Sequence, residues 1–260
     1  MTNTAGKKNI RAVGVIPARY GSTRLPGKSL ISICGTPLVV RVVERARLCK
    51  ALERVIVATD DARIVEVVRA AGAEAVMTRA DHPSGTDRVA EAVAGIDAEI
   101  VVNVQGDEPL IDPDLIGKLV AALARDASWD MATAATPIHD AAMVAAPAVV
   151  KVVWDQRGRA LYFSRSVIPC IRDAGKVDPA GLYWRHLGIY AYRRAFLQKL
   201  VAAPVCATER AESLEQLRAL HLGARMLVVQ TQDRGIGVDT PEDVTYVEGL
   251  IREQERSGKR

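Results

Sequence analysis

The stretch GSTRLPGKS, Gly21 to Ser29, combines two glycines, two cations and three hydroxyls, the composition of a loop that wraps phosphate. It is not the loop of ATP- and GTP-splitting enzymes, which reads G-x-x-x-x-G-K-[ST]. Five residues separate Gly21 from Gly27, one too many, and among them is Pro26, which has no N–H to offer. In that motif a helix begins at the Lys-Ser pair, so that its N-terminus meets the anion. Here Leu30 to Thr36 intervene, and Pro37, a favoured first-turn residue, predicts the next helix. The loop must therefore work with side-chain cations as well as backbone N–H groups. Arg19, Arg24 and Lys28 can together neutralise much of a triphosphate. The competing reading of this stretch alone is a solvated basic surface loop.

Carboxylates supply the complementary chemistry. Asp107 follows the apolar run EIVVNV, and Gly106 permits a sharp exit. Asp239 stands in GIGVDTPED, where Thr240 caps a helix, Pro241 takes its first position, and Glu242 and Asp243 favour its positive end. Two carboxylates brought together repel unless a cation lies between them. Beside a triphosphate that cation is Mg²⁺, which takes a few carboxylates, phosphate oxygens and water. Singly, Asp107 reads equally as a turn residue and Asp239 as a cap or surface charge. In RHLGIYAY, alternation puts His186, Gly188, Tyr190 and Tyr192 on one strand face, fit to line a polar pocket. Leu187, Ile189 and Ala191 take the other face, toward a core. A lone strand histidine reads first as structural, and Glu215 and Gln216 read first as a solvated helix face.

Periodicity predicts the elements that hold these groups. Strands are expected at Ala12 to Ala18, Arg54 to Thr59, Ala73 to Met77 and Glu99 to Val104, with helices at Pro37 to Cys49, Asp61 to Ala71 and Thr86 to Ala94 between them. A helix capped by Asp112, with Pro113 first, carries Leu115, Ile116, Leu119, Val120 and Leu123 on one stripe. Short apolar strands, each followed by a helix, make an α/β fold with a mainly parallel sheet covered on both faces. After Ala135 the rhythm changes. Val149 to Trp154, a turn at Gln156 to Gly158, and Ala160 to Phe163 predict a hairpin, and His186 to Tyr192 another strand. A β-rich insert at about 137–195 is expected within a single domain spanning 1–260. A helix from Glu209 to Leu222, a strand from Arg225 to Gln230 and a helix from Pro241 close the chain. In such sheets ligands bind beyond the carboxyl ends of the strands. The exits at Arg19 to Lys28, Thr59 to Asp61 and Gln105 to Asp107 share that edge.

Composition narrows the function further. The 260 residues are 49% hydrophobic and poor in aromatics, which suits a large packed α/β core. A net charge of +4 is too weak for nucleic acid and suits a small anionic substrate, part of it coming from the basic tail Arg252 to Arg260. Cys34, Cys49, Cys170 and Cys206 show no C-x-x-C spacing, and the histidines form no H-x-x-x-H pair, so neither a zinc site nor a disulfide framework is expected. Residues 1–9 read as a polar, disordered leader. No apolar run is long enough to insert in a membrane, and a cytoplasmic protein is expected.

IPARYGSTRLPGKSL, MTRADHPSGTDR, VNVQGDEPLI, VKVVWD, LYFSRSVIP, RHLGIYAY, LEQLRAL and GVDTPED, in this order along almost the whole chain, resemble the 3-deoxy-manno-octulosonate cytidylyltransferases, the CMP-KDO synthetase family. The opening loop alone recurs across sugar nucleotidyltransferases; the VQGDEP, RHLGIY and LEQLR blocks are more specific. The resemblance implies a Rossmann-like nucleotidyltransferase fold. It also implies a reaction in which CTP and 3-deoxy-D-manno-octulosonate (KDO) give CMP-KDO and pyrophosphate, for the inner core of lipopolysaccharide. It places Arg19, Ser22, Arg24 and Lys28 on the triphosphate, and Arg79, Ser84 and Gly85 in the cytosine-reading segment. Asp107 and Asp239 match the Mg²⁺ carboxylates. Gln105, Arg165, His186, Tyr190, Glu215 and Gln216 fall where the family holds the sugar acid. Of these, Arg19, Arg24, Lys28, Asp107 and Asp239 would carry the catalysis. A homodimer is implied as well. The segment 173–183 matches no family pattern.

Two other functions stay open on sequence. One is a cytidylyltransferase for another acidic sugar, such as sialic acid. The other is a non-catalytic nucleotide-binding protein, although a sensor need not keep a metal pair. A dinucleotide oxidoreductase is disfavoured, because no G-x-G-x-x-G follows the first strand.

Overall fold

The computed structural model describes residues 10–21, 25–173, 178 and 180–258. The expected leader, and Ser22 and Arg24 of the basic loop, lie outside them. In chain order the elements are β1 (Ala12–Ala18), β2 (Ser32–Ile33), β3 (Thr36–Pro37), α1 (Leu38–Arg47), β4 (Arg54–Thr59), α2 (Ala62–Ala70), β5 (Glu74–Met77), α3 (Gly85–Ala92), β6 (Ile100–Asn103) and α4 (Pro113–Arg125). They continue with β7 (Met131–Pro137), α5 (Ala141–Ala145), β8 (Lys151–Trp154), β9 (Ala160–Ser164), β10 (Trp184–Arg193), α6 (Arg194–Ala202), α7 (Ala207–Glu212), α8 (Gln216–His221), β11 (Met226–Gln230) and α9 (Pro241–Arg256).

The central sheet runs β11-β7-β10-β6-β1-β4-β5, and the β8–β9 hairpin joins it through β10. Its neighbours are parallel except at β10, which runs antiparallel to both β6 and β7. Both faces are covered, as the continuous apolar strands require. Ala12, Ile16 and Ala18 of β1 pack into one core with Leu38 of α1, Ile64 of α2, Leu115 of α4 and Val247 of α9. Val13 and Val15 enter the second core with Val89 of α3, Phe196 of α6 and Leu217 of α8. The α4 stripe is buried as its spacing predicts, and the Asp112 side chain accepts from the Asp114 N–H.

Several expectations need correction. Pro37 is the N-cap of α1 rather than its first residue. The single helix expected over 209–222 is two helices, α7 and α8. They break at Ser213, which adopts the left-handed conformation with φ 50. Glu212 is drawn aside there by Ser164 and by the Arg165 N–H, at 2.6 and 2.9 Å. The change of rhythm after Ala135 hides β7 and α6, because a central strand flanked by an antiparallel partner carries no crossover helix to announce it. Within the stretch 137–195, β10 is a strand of the central sheet itself.

Gly106 shows how tightly the edge is built. A Cβ there would lie 2.7 Å from the Pro17 carbonyl oxygen, so β1 and the β6 exit can touch only through a glycine. Gly106→Ala should cost about 1–3 kcal/mol as overpacking and displace Asp107. Thermal unfolding together with steady-state kinetics checks this. A variant with unchanged midpoint and turnover would show that the backbone yields without cost.

Candidate active site

The exits of β1, β4 and β6 meet at one edge of the sheet. Arg19, Lys28, Asp60, Ser84, Gly85, Gln105, Gly106, Asp107 and Asp239 line a cleft of about 640 Å³ there. Lys28 opens a single 3-10 turn entered through Gly27, whose φ is 67. A Cβ on Gly27 would press on the Tyr20 ring at 3.3 Å. The Gly27 N–H donates to the Tyr20 carbonyl at 3.1 Å, and the Arg63 guanidinium lies 3.4 Å from the centre of the Tyr20 ring. The base of the loop is thus clamped against α2.

Lys28 Nζ donates to Asp107 Oδ2 at 2.7 Å and to Asp239 Oδ1 at 3.0 Å. Burial alone would lower the ammonium pKa; the charges and hydrogen bonds of Asp107 and Asp239 outweigh it and leave the pKa raised. Asp239 is held by the α9 cap. Asp243 Oδ2 accepts from the N–H groups of Asp239 and Thr240, each at 2.9 Å, and Thr240 Oγ1 accepts the Asp243 N–H at 3.3 Å. The Asp107 carbonyl accepts the Val238 N–H at 2.9 Å, which ties the two carboxylate-bearing segments together. Beside them, burial, followed by the charges of Asp107 and Asp233, pushes the Glu108 carboxyl up to about 8 against the opposing pull of Arg185.

This donor set fits Mg²⁺. The two carboxylates already converge on one cation, the Lys28 ammonium, in a polar cleft. Among the described residues no group of three or more His, Cys, Asp or Glu side chains is arranged to hold a metal. An ion held by Asp107 and Asp239 must therefore complete its shell with nucleotide oxygens and water, which is how Mg²⁺ is ordinarily bound beside phosphates.

Next to this cleft, β10 contributes a ladder of rings. His186 stands 4.8 Å from Phe163 and 5.5 Å from Tyr190, and Tyr190 stacks at 5.8 Å on Tyr192. Gln105 Nε2 donates to the Gly188 carbonyl at 2.7 Å, linking the ladder to the β6 exit. Thr133 Oγ1 lies 2.9 Å from His186 Nε2 and 2.8 Å from the Ile189 carbonyl. A carbonyl can only accept, so the single hydroxyl proton goes to it and His186 must donate from Nε2. That leaves Nδ1 as an acceptor on a neutral ring. Burial, and then the Arg185 charge, push the His186 pKa down to about 3. Tyr192, expected on a pocket wall, is instead 1% exposed in the second core. Glu215 faces this ladder: its charge helps to raise the Tyr190 and Tyr192 phenols, behind the larger effect of burial.

Other expected site residues are not among those lining this cleft. Arg79 is exposed and pairs with Glu91 at 3.5 Å and Asp81 at 3.8 Å. Arg165 spends three N–H groups on the carbonyls of Glu212, Pro147 and Ser213, at 2.6, 3.1 and 3.3 Å. Gln216 is buried at the start of α8. The sequence reading missed the Asp60–Arg88 pair on the cleft wall. Arg88, 5% exposed, reaches Asp60 Oδ2 at 2.8 Å and Thr78 Oγ1 at 2.6 Å. The position of Asp60 at the β4 exit was a signal; Arg88, inside a helical pattern, reads as a solvated charge. His82, which also lines the cleft, is bonded to Glu91.

A covered, mainly parallel sheet, with a basic glycine loop leaving its first strand and two carboxylates converging across the cleft, defines a nucleotidyltransferase. Comparisons with known proteins sharpen this. Residues 13–226 match the family model described as cytidylyltransferase. The 3-deoxy-manno-octulosonate cytidylyltransferase of Syntrophotalea carbinolica is 50% identical over 243 residues, covering 92% of this chain and 97% of that protein. The enzyme of the same name from Geobacter metallireducens is 48% identical over 253 residues, covering 94% of this chain and 100% of its own. A solved structure of CMP:2-keto-3-deoxy-manno-octonic acid synthetase complexed with CTP superposes with a TM-score of 0.89 at 45% identity, over 94% of this chain and 99% of that one. The chain belongs to the cytidylyltransferase family, among the 3-deoxy-manno-octulosonate cytidylyltransferases.

The His186 geometry has a pH consequence. Its folded value of about 3 lies below the ordinary 6.5, so as pH falls the unfolded chain takes up the proton first. Its contribution to stability is therefore flat above 6.5 and declines as pH drops from 6.5 toward 3. Urea midpoints across this range should fall less steeply in His186→Gln than in the parent. Equal slopes would mean that His186 protonates in the folded state without cost.

Proposed function

We propose that the protein transfers the cytidylyl group of CTP to KDO, giving CMP-KDO and pyrophosphate. The observation that carries this reading is the convergence of Asp107 and Asp239 on Lys28 at the mouth of the basic loop, in a chain similar to a solved synthetase that is complexed with CTP. The anomeric hydroxyl oxygen of KDO forms a bond to the α-phosphorus as the bond to the pyrophosphate oxygen breaks in line, and the hydroxyl proton passes to solvent water. Such transfers depend on positioning and charge neutralisation more than on covalent help.

The residues divide by role. Arg19 and Lys28, with Ser22 and Arg24 of the same loop, hold the β- and γ-phosphates and stabilise the departing pyrophosphate. Ser84 and Gly85, with Arg79 nearby, read the base. Asp107 and Asp239 would hold Mg²⁺, which when bound neutralises phosphate oxygens. With the carboxylates neutralised in that way, the Lys28 ammonium would be free to pass from carboxylate to phosphate. Gln105, His186 Nδ1, Tyr190, Glu215 and Gln216 bind the sugar acid. An arginine has five N–H donors; two that Arg165 does not spend on carbonyls of the described residues would serve the KDO carboxylate.

The same proposal extends to a homodimer, supported by Leu161 of β9 and Val167 beyond it, which are 56% and 39% exposed. It extends also to a cytoplasmic enzyme serving the lipopolysaccharide inner core. Among the described residues no helix is long and apolar enough to cross a membrane.

The test is pyrophosphate release by purified protein across the four NTPs, with and without KDO, in Mg²⁺ and in EDTA. Release is expected when CTP, KDO and Mg²⁺ are all present. Activity with another sugar acid instead of KDO would keep the chemistry and change the acceptor; silence in folded protein would sink the proposal. Asp239→Asn should keep the fold and lose turnover by at least ~100-fold, the value of one preorganised electrostatic element. Near-normal turnover at saturating Mg²⁺ would remove Asp239 from the metal site.

A further inference from the structure

Thr86 lies where the two halves of the cleft meet. The two residues before it, Ser84 and Gly85, line the nucleotide side. Thr86 itself, in the first turn of α3, is 5% exposed, and its hydroxyl donates to Glu215 Oε1 on the segment that opens α8. Glu215 Oε2 lies 3.6 Å from the Arg218 guanidinium, which is itself held by Glu209 at 3.1 Å. The Glu215 carboxylate is thus gripped from two sides beside the Tyr190–Tyr192 ladder. A threonine hydroxyl has one proton and two lone pairs. Here that proton is committed to Glu215. Thr86 therefore has a hydroxyl task that an isosteric valine cannot perform.

We infer that Thr86 is a positioning residue for the acceptor sugar: it orients Glu215 from the nucleotide-side segment and so places one sugar contact relative to the bound base. This rests on the reading of Glu215 as a contact to the sugar acid. Thr86 need not touch either substrate. Its effect passes through a hydrogen bond to a charged group, the stronger kind of neutral-to-ion contact.

Thr86→Val keeps the shape and removes the hydroxyl, and Thr86→Ser keeps the hydroxyl and removes a methyl. Thr86→Val should raise KM for KDO by about tenfold, in keeping with the loss of one charge-assisted hydrogen bond, with KM for CTP within about twofold of the parent. Thr86→Ser should restore KM for KDO to near the parent value. Because the hydroxyl acts through Glu215, Thr86→Val combined with Glu215→Gln should be no worse than Glu215→Gln alone. Thermal midpoints measured in parallel separate a structural role from this one. A lower midpoint with unchanged KM for KDO overturns the proposal, as does a serine variant that behaves like valine. Should Glu215→Gln itself leave KDO kinetics intact, the reading of Glu215 fails. Should Glu215→Gln be impaired while Thr86→Val is not, the role of Thr86 alone fails.

Discussion

Like charges cannot be crowded without a counter-charge, and the cleft is organised around that constraint. Two carboxylates held close together without a cation repel more strongly the less water surrounds them. Lys28 removes this cost for Asp107, 79 residues away in sequence, and for Asp239, 211 residues away. The three groups can converge because each leaves a rigid support. Lys28 follows the Gly27 turn, Asp107 follows a glycine packed on the Pro17 carbonyl, and Asp239 precedes a doubly bonded helix cap. In the proposed reaction, carboxylates that already share one ammonium would be placed to share a metal ion, and the ammonium would then be available to phosphate.

The second organising feature is the direction of β10. In a sheet of parallel neighbours, every carboxyl end lies at one edge. An antiparallel strand inserted beside β6 brings its amino-terminal half to that same edge. Tyr190 pairs with Asn103 at the end of β6, and Gly188 then lies within reach of Gln105. The ring ladder of β10 thereby stands next to the strand exits that line the cleft. Groups on β10 and groups on the parallel-strand exits become neighbours through one reversed strand, and the Thr86–Glu215 bond joins α3 to the start of α8 on the helix side.

Much of this was legible locally. Near-continuous apolar strands identified a covered parallel sheet, because only burial on both faces tolerates such runs. Asp112, Thr240 and Pro241 announced their helix starts through capping chemistry that acts within a few residues. The exits at Arg19, Asp60 and Gln105 could be assigned to one edge because parallel strands share their polarity. Motif order along the chain named the family. Roles of single side chains were less legible. His186 and Tyr190 alternate as expected, yet whether they face water or a core depends on what α6 and α8 place over them.

Sequence alone determined the α/β class, the basic loop, the two candidate carboxylates and the family, since each is written in short-range pattern or motif. It did not determine that the 209–222 helix breaks at Ser213, where the Ser164 hydroxyl and the Arg165 backbone N–H engage Glu212. Nor did it reveal that Arg165 is engaged with backbone carbonyls, that Arg88 pairs with Asp60 on the cleft wall, or that Lys28 joins Asp107 to Asp239. Those facts belong to the tertiary structure. They arise from charges and hydrogen-bond donors on distant segments that must find partners once water is excluded, and no local pattern records which partner is found.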